Sequence, residues 1–136
     1  MGAKTNYAEE QLVGVLFRGA AFTPPAAWHV ALFTAVTDGE AGTVTEVSGG
    51  SYARVVVANS AVEWTAPVGG DGTTSNVNPI AFPVPTAAWG QATHWGLFDP
   101  AGNLWYYDDL TTPKTINNGD PAPTFAAGAL TVQEDN

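Results

Sequence analysis

Hydrophobic positions change their period once along this chain. In "NYAEEQLVGVLF" the apolar residues Leu12, Val13, Leu16 and Phe17 recur at i, i+1, i+4 and i+5, a spacing that lines one face of a helix. Asn6 stands ahead of that run with Glu9 three residues on, an Asn variant of the capping box. Arg18 follows the last apolar residue, where a cation complements the helix dipole, and Gly19 supplies a stop. The pattern predicts one N-terminal helix over 5–19, its stripe packed on the chain's own sheet or on a neighbouring subunit.

Beyond "TPP" at 23–25 the period falls to two. Short apolar and β-branched runs at 28–35, 51–57, 61–65, 77–82, 93–98, 104–107 and 129–132 are divided by turn signals such as "TDGEAGT", "SGG", "PVGGDGTTSN", "DPAGN" and "NNGDPAP". Regular short strands of this kind predict a mainly β fold, an antiparallel sandwich or barrel-like domain over 26–133 with the helix in front of it. "FDPAGNLWYY" reads as the clearest hairpin, because Gly102-Asn103 can take the positive φ of a tight turn. Pro79, Pro83 and Pro85 push "NPIAFPVP" to a sheet edge or an extended arm. All 136 residues fit a single domain, large enough to bury about 68% of its unfolded surface in a core.

Two of the runs share a plan. "WHVALFTA" and "THWGLFD" each place a histidine four residues before a phenylalanine, His29 before Phe33 and His94 before Phe98. Alternation puts His with Phe on one strand face and Leu with a large apolar residue (Leu32 with Val30, Leu97 with Trp95) on the other. Both faces are largely apolar, so the runs predict two central, doubly covered strands that can lie side by side. His29, Leu32, Phe33, His94, Trp95, Leu97 and Phe98 are expected in the structural core.

These are the chain's two histidines, and they test poorly as chemistry. A metal needs further ligands, and no H-x-x-x-H, H-x-H or H-E-x-x-H spacing supplies them. Neither has an acid at a helical or strand-face offset in sequence. A catalytic base needs a nucleophile, yet no G-x-S-x-G elbow and no cysteine occur. Asp108-Asp109 resembles a glycosidase pair, but neighbours on a strand point to opposite faces and cannot flank one bond. The pair reads as a polar strand end. Trp105, Tyr106 and Tyr107 could build a sugar platform, though alternation along a core strand accounts for most of them. Arg54, inside the run at 51–57, is placed to pair with Glu46 across the "EVSGGSYAR" turn.

Charge narrows the partners. Thirteen acids stand against Lys4, Arg18, Arg54 and Lys114, a formal net charge of −9. Nucleic acid and anionic membranes both attract basic surfaces, so neither is expected as a partner. The N-terminus has no signal-peptide core and no apolar run reaches 18 residues, which leads to expecting synthesis in the cytoplasm and no membrane span. No cofactor is expected, and the lack of cysteine removes disulfides and thiol chemistry.

The order of motifs carries a resemblance. "NYAEEQLVGVLFRG", "FTPPAAWHVALFTA", "TEVSGGSYARVVV", "FPVPTAAWGQATHWGLFD", "GNLWYYDDLTTPKTINNGD" and "AAGALTV", taken together, resemble a family of small virion proteins of tailed bacteriophages, labelled tail-fibre-like or head-decoration proteins. The resemblance spans 6–132 and implies a β-sandwich structural protein without enzymatic residues. One compact unit without repeats, with an amphipathic helix and an acidic surface, suits a capsid decoration or cement protein bound to the major capsid protein. A tail or tail-fibre component for host attachment is the alternative, and a carbohydrate-binding module a further one. Other virion proteins, or a homo-oligomer (trimer or dimer), are the remaining partners. Loops carry recognition on sandwich scaffolds, so contact is expected from Leu12, Val13, Leu16, Phe17 and Arg18 on the helix, and from Gly49, Gly50, Arg54 and Asp71 in the loops.

Overall fold

The computed structural model describes residues 3–67 and 69–134; Val68 and the ends of the expected 1–136 domain lie outside the described residues. In chain order the elements are β1 (Ala3–Lys4), α1 (Asn6–Phe17), β2 (Ala27–Asp38), β3 (Thr43–Glu46), β4 (Val55–Ala58), β5 (Thr73–Ser75), β6 (Ile80–Ala81), β7 (Gly90–Phe98), β8 (Leu104–Ile116), β9 (Thr124–Phe125) and β10 (Thr131–Gln133). The fold is mainly β and antiparallel, with one helix at its N-terminal end.

A six-stranded sheet runs β1-β8-β7-β2, and the far edge of β2 is shared by two strands. β4 pairs with Ala27 to Val30 of β2, and β3 pairs with Phe33 to Asp38. Two small sheets, β5 with β10 and β6 with β9, lie over one face of the large one. Val30, Leu32, Trp95 and Leu97 of the large sheet meet Ile80, Phe82, Leu130 and Val132 of the small layer in one buried cluster. The arrangement is sandwich-like because an antiparallel sheet must bury an apolar face against a second layer.

The two histidine strands are neighbours at the centre of the sheet. β2 and β7 pair antiparallel so that His29 faces Phe98, Phe33 faces His94, and Ala31 faces Gly96. The opposite face of these strands holds a second cluster of Ala31, Phe33, Phe98 and Leu104, with Val36, Val44 and Tyr107 against it. Both faces are therefore covered, as the alternation predicted. Gly96 is needed for this packing: a Cβ there would lie 2.5 Å from the Phe33 ring and 2.9 Å from Leu104 Cδ1. The hairpin at Gly102 also forms, with φ +94° at the glycine.

Several expected elements differ. The run at 61–65 is a turn with one bridge, Trp64 to Asn76, because Glu63 and Trp64 N–H both bond back to the Ser60 carbonyl. The run at 51–57 is strand only from Val55, since its first residues close a turn (Tyr52 N–H to Gly49 O); Arg54 therefore precedes the strand. In the run at 77–82 only Ile80–Ala81 is strand, in keeping with the flanking prolines. β8 does not end at Asp108-Asp109 but continues to Ile116 along β7. "TVTE" and the "TTS" of the Gly-rich loop are strands.

α1 covers 6–17, and its cap is Thr5 rather than Asn6. Thr5 is extended (φ −86°, ψ 162°) and its hydroxyl accepts the Ala8 N–H at 3.2 Å while donating to Leu104 O at 2.6 Å. The first hydrogen bond caps the helix and the second ties its start to β8, which makes the threonine the better cap. Gly19, at φ +66°, stops the helix as predicted.

Candidate functional site

The residues expected to meet a partner fall in three places, and no hydrogen bond or ion pair joins the three among the described residues. The first is α1. Its contact with the sheet comes from its start: Tyr7 packs edge-on against Trp105, its hydroxyl accepts from Asn103 Nδ2 at 3.2 Å, and Ala8 is buried. Of the expected Leu12–Phe17 stripe, only Leu12, one turn beyond Ala8 on the same face, is turned towards the fold. Leu12 is half-buried, while Val13, Leu16 and Phe17 are 50%, 69% and 80% exposed, and Phe22 beyond the helix is 38% exposed. Period alone cannot distinguish a face turned to the sheet from one turned outward; here the side carrying Ala8, Leu12 and Val15 is the more buried, and Val13, Leu16 and Phe17 point away.

The acids cluster at the other end of this surface. Burial, and then the nearby Glu40, Asp38, Asp108 and Glu9 carboxylates, raise the Tyr107 phenol above its ordinary value. The helix thus begins beside negative charge and ends in an apolar patch next to Arg18, which makes no ion pair with a described residue.

The second place is the 47–54 loop. Gly49 (φ +152°) and Gly50 pack under 86–89: a Cβ on Gly49 would lie 2.7 Å from Trp89 Cδ1, and one on Gly50 2.9 Å from Ala87 N. Trp89 Nε1 donates to Gly50 O at 2.8 Å. This loop is anchored to the interior by its glycines. Arg54 then reaches Glu46 as predicted, bidentate, with Nη2 to Oε1 at 2.7 Å and Nε to Oε2 at 3.0 Å. Tyr52 Oη donates to the same carboxylate at 2.8 Å and accepts the Leu32 N–H at 3.1 Å. The guanidinium lies 3.7 Å above the Phe98 ring, a cation–π contact. The Glu46 hydrogen bonds raise the Arg54 pKa, and burial foremost raises that of Tyr52. The set is a polar clamp holding β2, β3 and β4 together.

The third place is Asp71, whose Oδ1 accepts the Thr73 N–H at 3.2 Å and shapes the turn into β5.

His94 has a partner that sequence offsets miss. His94 Nε2 lies 2.6 Å from Asp109 Oδ1, its cross-strand neighbour on β8, and Nδ1 lies 2.7 Å from Thr93 Oγ1. The acid comes from the adjoining strand, so only register reveals it. Asp109 is largely exposed, and no three metal-ligating side chains gather among the described residues. Asp99 is buried at the β7–β8 turn; burial pushes its carboxyl up, but hydrogen bonds from Trp105 Nε1 (3.0 Å) and from Asn103 outweigh this and bring it below the ordinary value. At the chain's end, Tyr106 Oη and Lys4 Nζ (2.9 Å) both donate to Glu134, and neither contact is suggested by sequence spacing. No described helix is long and apolar enough to cross a membrane.

A mainly β, sandwich-like core with one helix at its N-terminal end is in keeping with the resemblance to tailed-phage virion proteins. The sequence model of one such family matches residues 3–133, and the chain belongs to it: the family is described as podophage GP4 fiber I protein gp80. No curated protein matches the chain.

Proposed function

We propose that this chain is a non-enzymatic structural subunit of a fibre on a podophage virion, held there by contacts with other virion proteins through the apolar end of α1. Membership of a family named for a fibre, over residues 3–133, is the observation that carries the reading. The exposed Leu16 and Phe17 support the mode of attachment, since contiguous apolar surface of this kind marks interaction sites. Repetition of a modest contact over many subunits supplies avidity without a deep interface.

Decoration of the head by a cement protein is a second reading, favoured by the lack of any internal repeat that would extend a fibre; binding to the assembled shell would then stabilise it by mass action. Gold labelling of a tagged chain on intact virions separates the two. Label on protruding fibres is the expected result, and an even lattice of label over the shell would replace the fibre with the cement reading. Virions lacking the chain are expected to keep their heat resistance and to lose fibres.

A further inference from the structure

A small recess of about 210 Å³ opens where the end of β10 passes β5 and the centre of β8, and it is distinct from the helix patch. Its walls are Trp28, Trp64 and Tyr106; its polar groups include Asn59, Thr74 and Glu134. We propose that this recess binds one ring of a neutral saccharide.

The walls are held in place. Trp28 and Tyr106 meet edge to face, with centroids 6.1 Å apart at 73°, and Trp64 Nε1 is fixed by Ala58 O at 3.1 Å. Aromatic faces carry the negative part of the ring quadrupole, so they attract the weakly positive C–H face of a pyranose. The polar groups complement hydroxyls. Glu134 takes a hydrogen bond from Tyr106 Oη and one from Lys4 Nζ, yet an ionised carboxylate has about four acceptor positions. Burial alone would raise its pKa, but those two donors bring it below the ordinary value, so it stays ionised at neutral pH. Asn59 uses Nδ2 on Pro25 O, and Thr74 donates to Thr65 O, which leaves their oxygens as acceptors. Trp28 Nε1 makes no hydrogen bond to a described residue, leaving one donor.

The charge and size select the ligand. An acceptor-rich rim on a chain of formal net charge −9 disfavours phosphates, uronic acids and nucleic acid. A purely apolar ligand would strip water from the remaining acceptor positions of the carboxylate without replacing it, at a desolvation cost. The volume is below the range of about 300–1,000 Å³ typical for larger ligands, which fits one ring of a longer glycan. The inference stands on the recess and not on where the chain sits in the virion, so either can fail alone.

Indole N–H signals in ¹⁵N-labelled full-length chain provide the test, titrated with the methyl glycosides of glucose, mannose, galactose, rhamnose and N-acetylglucosamine. At least one sugar is expected to shift the Trp28 and Trp64 indole signals saturably, with a Kd on the order of 1 mM. The buried Trp89, Trp95 and Trp105 signals are expected to stay still. Trp64→Ala and Glu134→Gln should each weaken binding about tenfold or more. Glu134→Gln keeps the side-chain shape and guards against loss of fold in the tryptophan variant. No shift with any of the sugars, shifts centred on Trp89 or Trp95, or unchanged affinity in a folded Glu134→Gln chain would each overturn the proposal.

Discussion

Gly96 and Phe33 show how little room the central strands leave. The Phe33 side chain is fully buried, so its ring has nowhere to move when a methyl is placed 2.5 Å away. Gly96→Ala is expected to destabilise the fold by about 1–3 kcal/mol through overpacking, read as a lower urea midpoint with an unchanged slope. Glu46→Ala removes the acceptor for both Arg54 and Tyr52 and is expected to cost about 1–3 kcal/mol. A double-mutant cycle with Arg54→Ala should return a coupling energy well above zero; a value at zero would mean that solvent screens the pair, whose side chains are 31% and 25% exposed. At this scale the sequence was informative where partners are close in the chain or share an alternation. The His–Phe strands and the Arg54–Glu46 pair were legible for that reason. His94–Asp109 was not, because it depends on a register shift between Ala92 and His94 that no local pattern encodes.

Among the elements, α1 was legible as a helix but not in its attachment. Periodicity located an apolar stripe, while the anchor proved to be Thr5, Tyr7 and Ala8 at the start. Thr5→Ala removes a cap and a cross-link to β8 together, and is expected to cost about 1–2 kcal/mol, measured by denaturant unfolding. The two-residue and three-residue strands β5, β6, β9 and β10 escaped or blurred for a related reason. Each exists because a distant segment supplies its hydrogen bonds, as Ser75 does for Thr131, and strands this short carry no period of their own. The proline effect at 79–85 acts through the backbone alone, so it was readable directly. The β7–β8 turn is expected to give the fold an acid limb. Asp99 sits below its ordinary value in the folded chain, so its contribution is present above the unfolded value and is lost as pH falls through the lower folded one. Asp99→Asn should flatten that acid dependence in a series of urea midpoints against pH. Glu134 works in the same direction, but more weakly, because its side chain is 45% exposed and solvent screens it.

For the whole molecule, class and acidity were readable from the chain, and the family match agrees with the resemblance its motifs carried. The apolar end of α1 was named as a contact surface from sequence, and the fold leaves it uncovered. That patch is where attachment to the virion is tested most directly. Leu16→Ser and Phe17→Ser, combined in one chain, should change stability by no more than about 0.5 kcal/mol, because both side chains are already in solvent. The same chain, supplied in trans to a phage lacking its own copy, should be missing from purified virions by quantitative immunoblot, and their fibres should be absent by electron microscopy. Incorporation of the folded double variant at the wild-type level would contradict the account.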